Sequence, residues 1–176
     1  MKQSLVDENR QLIEQGVRLL HDLPEGAYAA ESPDGSPAPA IGPHFRHCLD
    51  FYICFLDGLE LRVIDYGSRS RRRDVETYRE VAMAALEAIA ERLEAIDEAT
   101  LADPVELRRE ALEQGESDEW FSSTLGRELQ FLLSHTVHHY ALIALALRLQ
   151  DHPVPEEFGA APSTLHHWRR EGRVTR

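Results

Sequence analysis

The stretch Phe131-Leu132-Leu133-Ser134-His135-Thr136-Val137-His138-His139-Tyr140 decides how the rest of the chain is read. It sits inside a broadly apolar run that ends near Gln150. Ser122, Ser123 or Thr124 can cap its start, and Glu128 lies in its early turns. That pattern predicts a helix at the centre of a bundle. The imidazoles interrupt the apolar run before it reaches the roughly 18 residues a membrane span needs, so it reads as buried in protein. At about 100° per residue, His135 and His139 lie one turn apart on one face. Leu132, Leu142 and Ile143 share that side, and Glu128 projects there two turns earlier. Two imidazoles in apolar surroundings need partners. Either a metal ion supplies them, and imidazole suits Zn²⁺, Ni²⁺, Fe²⁺ or Cu²⁺, or the pair are core histidines bonded to other side chains. His138 falls to the other side of His135 and reads as a rim group.

A metal held by this helix needs a ligand from another. Gly42-Pro43-His44-Phe45-Arg46-His47 opens a second predicted helix, with Pro43 in its first turn and an end near Leu59. Leu49, Phe51 and Phe55 place it in the core. His47 lies deeper in it than His44 and is the preferred third ligand. His44, at the helix start, reads as facing solvent or a loop. Asp50 reads as a partner that fixes an imidazole tautomer or as a surface or interhelical hydrogen-bonding group. Cys54 shares the face of His47 but lies about 10 Å along the axis, so it reads as an inert thiol rather than a fourth ligand or nucleophile.

Outward from these two helices, residues 4–22 predict a helix capped by Ser4, and Leu23-Pro24-Glu25-Gly26 stops it. Residues 24–43 hold five prolines and three glycines and predict a long loop. Residues 60–73 read as irregular. Asp74 is expected to cap a third helix running to about Asp97. Val105-Glu106-Leu107 alternates and predicts a short strand. Trp120 and Phe121 are expected to anchor the entry to the last long helix. Pro162 precedes a short tail helix over Ser163–Arg170, with Phe158 as an anchor for the tail. Four main helices predict an all-α four-helix bundle with long connecting loops, as one domain over residues 1–176.

The whole chain has 176 residues and a net charge of −12, with 43% hydrophobic and 28% charged residues. Such acidity argues against general binding to phosphate backbones and to anionic lipid. Two cysteines, Cys48 and Cys54, point to different faces of one helix, fit a reducing compartment and suggest no local disulfide. The N-terminus carries no apolar leader segment, so a cytoplasmic location is expected. Gly-x-Ser-x-Gly, a phosphate-cradling glycine loop and CxxC are absent from the sequence. The run Arg69-Ser70-Arg71-Arg72-Arg73 reads as a clamp for an anionic group or as a solvated loop that pairs with the chain's own acids. His166 and His167 diverge by about 100° on a helix and form no metal pair.

The blocks Ile41-Gly42-Pro43-His44-Phe45-Arg46-His47-Cys48-Leu49-Asp50 and Phe131–His139 together resemble the DinB/YfiT-like superfamily of metal-dependent hydrolases and thiol transferases. The resemblance implies a four-helix bundle, commonly a homodimer, with a three-histidine site. Carried over by position, the metal ligands are His47, His135 and His139, for one divalent transition metal such as Zn, Ni or Fe. Many members follow the last histidine with an Arg-Gly-Gln-like run, where this chain has Tyr140, Ala141 and Leu142. Three protein ligands leave one position open, as in catalytic sites. The expected activity is metal-dependent transfer or hydrolysis on a small-molecule substrate, thiol transfer among them, with Glu128 as the candidate general base or, on the plainer reading, a bundle-end salt bridge or cap. A non-catalytic metal-binding or sensor bundle, and a bundle whose histidines are only core groups, are the alternatives.

Overall fold

The computed structural model describes residues 4–24, 26–29, 40–108 and 119–172. The first helix, α1 (Leu5–Asp22), starts where Ser4 accepts a hydrogen bond from the Asp7 backbone N–H, 3.1 Å away. Its buried side, Val6, Asn9, Leu12, Ile13, Gly16, Leu19 and Leu20, repeats every three or four residues, the stripe a helix needs to bury one face. The second, α2 (Gly42–Asp57), has Pro43 in its first turn and a nearly continuous buried set from Phe45 to Leu56. The longest helix, α5 (Leu125–Leu149), is capped by Thr124, whose hydroxyl accepts from the Arg127 N–H at 3.2 Å.

The third expected helix is divided in two. A short α3 (Arg73–Thr77) is followed by α4 (Arg79–Glu94), with Tyr78 between them in extended conformation. The Thr77 hydroxyl donates to the Arg73 carbonyl one turn back, at the end of α3. Asp74 stands inside the first turn of α3 rather than at its cap, and is held by Arg72.

Helices α1 and α2 each pack against both α4 and α5. A small sheet stands beside them: β1 (Val63–Asp65) runs parallel to β2 (Pro104–Arg108), and β2 pairs antiparallel with β3 (Trp120–Thr124). The molecule is therefore mostly helical rather than all-α. The alternation at Val105-Glu106-Leu107 does mark β2, with Val105 buried. Residues 60–73, expected to be irregular, contribute β1 because Val63 to Asp65 pair with Glu106 to Arg108. Trp120 and Phe121 do not anchor the entry to α5; they lie on β3 with 46% and 53% of their surfaces exposed. The loop expected over 24–43 falls partly outside the described residues; within its described part Ala27 and Tyr28 are buried.

A tail helix, α6 (Pro162–Arg170), follows a segment that crosses α5. Phe158 is buried and its ring stacks on Tyr140, centroids 4.6 Å apart. Gly159 next to it has φ +75°, and a Cβ there would lie 2.7 Å from the Ala141 nitrogen, so the approach of the tail requires glycine. Among the described residues no helix is long and apolar enough to cross a membrane.

The start of α2 has the same kind of constraint. A Cβ on Gly42 would meet the Glu76 carbonyl oxygen of α3 at 2.0 Å, and backbone cannot yield as a side-chain tip can. Gly42→Ala is expected to cost about 1–3 kcal/mol, as overpacking does, and to lower Tm by several degrees in a thermal melt followed by circular dichroism. An unchanged Tm would show that α3 moves aside freely.

Candidate metal centre

The pairing of α2 with α5 assembles the site. His47 comes from α2 and His135 and His139 from α5, and one nitrogen of each lies within 4.8 Å of the others. His47 Nε2 and His135 Nε2 are 3.2 Å apart. Two nitrogens bound to one tetrahedral ion at about 2.05 Å would stand about 3.3 Å apart, so this pair has the spacing of a shared ion. The ring centroid of His139 is 4.6 Å from each of the other two. All three imidazoles are half-buried.

Aromatic rings fix them in place. Phe51 lies 4.6 Å from His135 and 4.9 Å from His47, and Phe131 stacks on His135 with an interplanar angle of 17°. The Arg69 guanidinium sits 4.5 Å over the Phe51 ring. Burial, reinforced by the mutual repulsion that charging neighbouring imidazoles would bring, pushes each of His47, His135 and His139 down to about 4 from the usual 6.5. His47 and His135 also feel the Arg69 charge. At neutral pH all three rings are therefore neutral, with a lone pair available, which is the form a metal requires. His135 also carries a buried Nδ1 with no hydrogen-bond partner. Neutral imidazoles with ring nitrogens converging at ion spacing fit a divalent transition metal, and the three-histidine group can hold one.

The neighbouring residues divide. His138 is exposed beside His139, ring centroids 5.3 Å apart, at the rim as expected. Asp50 is 3% exposed but touches no imidazole: it accepts from Arg46 at 3.4 Å and from Ser70 at 3.2 Å. Arg46 in turn donates to Glu76 on α3. In the arginine run, Arg72 pairs with Asp74 while Arg69 turns toward the histidines. Cys54 lies near Ser68, and burial raises its thiol pKa, as suits an inert thiol.

Glu128 is not on the imidazole cluster. It is 1% exposed and accepts from Tyr66, Ser123 and Arg127 at 3.1, 2.6 and 3.3 Å. The rings of Phe51, Tyr66 and Phe131, packed 5.0 to 5.9 Å apart, lie on the side toward His135. Helical periodicity put Glu128 on the right face but not at the right height, since seven residues of helix rise about 10 Å.

One contact was not readable from the sequence. His44 is partly buried, not facing solvent, and its Nδ1 lies 2.9 Å from the Nδ1 of His139. Its position three residues before His47 was the signal available, but the partner is 95 residues away.

Comparison with known proteins agrees with the geometry. The family model described as DinB superfamily matches residues 8–143, more than half of the chain and including all three histidines. FK506-binding protein 5 of Rhizopus delemar is 33% identical over 111 residues, which cover 62% of this chain. The match spans only 28% of that protein's length. No solved structure matches.

The lowered imidazole pKa values make the metal-free protein acid-sensitive. An unfolded chain takes up protons on these rings near pH 6.5, whereas the folded chain does so only near 4. Unfolding is thus favoured progressively as pH falls from about 6.5 to about 4. Chelator-treated wild type should lose Tm across that window more steeply than His135→Gln, measured by thermal melts at stepped pH. Parallel slopes would contradict the shifts.

Proposed function

The chain belongs to the DinB superfamily, and on that premise we propose that it is a metal-dependent enzyme acting on a small molecule at an ion held by His47, His135 and His139. The observation that carries this reading is the convergence of three imidazole nitrogens within 4.8 Å of one another, a group that among the described residues comprises His47, His135 and His139, with His44 against His139 alone. A set of three protein ligands leaves a coordination position for water or substrate, the arrangement of catalytic zinc sites rather than closed structural ones. A divalent ion there would supply a Lewis acid that lowers the pKa of a water or a thiol and stabilises developing negative charge.

The chain's own residues would do the rest. Phe51 and Phe131 hold the imidazole planes and keep water from their flanks. Arg69, over Phe51, adds positive charge beside the open position, which suits an anionic substrate such as a low-molecular-weight thiolate. The reaction class proposed is thiol transfer to an electrophile, or hydrolysis. Zn, Ni and Fe all suit the ligand set. Of the two readings of Glu128, general base or bundle-end contact, we assign it the second, holding the start of α5 against Tyr66 and Ser123. The same reading takes α1, α2, α4 and α5 as the family's four-helix bundle, in one domain over residues 1–176 that pairs as a cytoplasmic homodimer.

Elemental analysis of tag-free protein tests the centre. Wild type should carry about one equivalent of divalent transition metal per chain, as a three-ligand site implies, and folded His135→Ala should carry none. Assays with low-molecular-weight thiols and a chromogenic electrophile should show turnover that chelation abolishes and metal restores. Turnover that survives metal removal would overturn the enzyme reading, and bound metal without turnover would favour a non-catalytic metal-binding protein.

A further inference from the structure

We propose that His44 is the positioning partner of His139: it holds that ring in the Nδ1–H tautomer and so selects Nε2 as the nitrogen that faces the ion. The inference rests on the metal-centre reading above and deepens it. It begins from an accounting of protons and lone pairs. A neutral imidazole has one N–H and one lone pair, and a ligand nitrogen must present the lone pair. The Nδ1 atoms of His44 and His139 are 2.9 Å apart, hydrogen-bond distance, so one of them carries a proton and the other accepts it.

If His139 used Nδ1 for the ion, its lone pair would point at His44 instead of at His47 and His135. With Nδ1–H donating to His44, the Nε2 lone pair is free for the cluster, whose ring centroids stand 4.6 Å from that of His139. His44 then accepts at Nδ1 and carries its own proton at Nε2. The partner is a neutral ring where metal-bound histidines more often lean on a carboxylate or a backbone carbonyl. A carboxylate would pass negative charge toward the ion through the ring, and a neutral imidazole does not. The ion thus keeps more of its charge for the open position, which favours an anionic ligand there. The helix supplies the geometry: His44 precedes His47 by three residues on α2, and both reach the His139 ring, with centroids 5.2 and 4.6 Å from it.

The experiment is Zn²⁺ titration of the full chain against a chromophoric chelator, beside ¹⁵N shifts of the histidine rings in metal-free and Zn²⁺-loaded protein. Four forms are compared: wild type, His44→Ala, His44→Phe and His44→Asn. Asn Oδ1 can accept from His139 near the place of the lost Nδ1, whereas Phe keeps the ring and removes the acceptor. Zn²⁺ affinity should fall about 10–100-fold in the Ala and Phe variants, the range typical for loss of such a partner. It should stay close to wild type in His44→Asn. In wild type, the His139 shifts should report the Nδ1–H tautomer even without metal, and both tautomers should appear in His44→Phe. Equal affinity and an unchanged His139 tautomer in all four forms would overturn the proposal. Wild type that takes up no Zn²⁺ would instead overturn the metal centre itself, and the metal-free shifts would still decide the His44–His139 pairing.

Discussion

Everything at the site depends on α2 lying close enough to α5 for the Nε2 atoms of His47 and His135 to stand 3.2 Å apart. That closeness comes from the residues next to the histidines. Cys48 follows His47, Thr136 follows His135 and Tyr140 follows His139, and all three are buried. On each helix the core therefore takes the face about 100° from the imidazoles, and close packing in that core fixes the rotation of both helices. Phe45 of α2 meets Tyr140 of α5 at 5.7 Å between ring centroids, next in sequence to His44 and His139. The histidines ride at the margin of the core, desolvated enough to stay neutral and open enough to meet a ligand.

The local charges are unusual for so acidic a chain. Arg46, Arg69 and Arg127 all lie near the imidazoles or the rings that flank them. Acids hold Arg46, through Asp50 and Glu76, and Arg127, through Glu128. Carboxylates thus bind the arginine shell rather than the histidines. Arginine charge beside His47 and His135 adds to burial in resisting protonation of these rings, and it favours anions at this face.

What the sequence disclosed follows a physical rule. Features set by residues a few positions apart were legible. Ser4 and Thr124 mark the starts of α1 and α5 because capping is a contact across three residues. The His135–His139 pair was legible because one helical turn aligns it, and His47 because the apolar pattern of α2 put its helix in the core. Contacts that join distant segments left no local trace. The strand at Val63–Asp65 exists through partners more than forty residues later, and its three residues show no alternation of their own. Asp50 finds Ser70 across a loop, and His44 finds His139 across most of the chain. The break at Tyr78 interrupts a strong helical pattern, and the sequence around it carries no glycine or proline to mark it. Glu128 shows the limit of face-only reasoning: the angle was right, and height along the axis decided.

The crossing of the tail over α5 bears on where this fold can be cut. The family match stops at residue 143, yet Phe158 and Gly159 press on Tyr140 and Ala141, just after His139. A fragment trimmed to the matched boundary would lose the last turns of α5, with buried Ala144, Ala146 and Leu147, and strip the cover from Tyr140. The segment beyond the shared family core is thus a brace on the helix that carries two of the three imidazoles. Recombining this region with a relative's would transplant the histidines without the buttress that sets their helix.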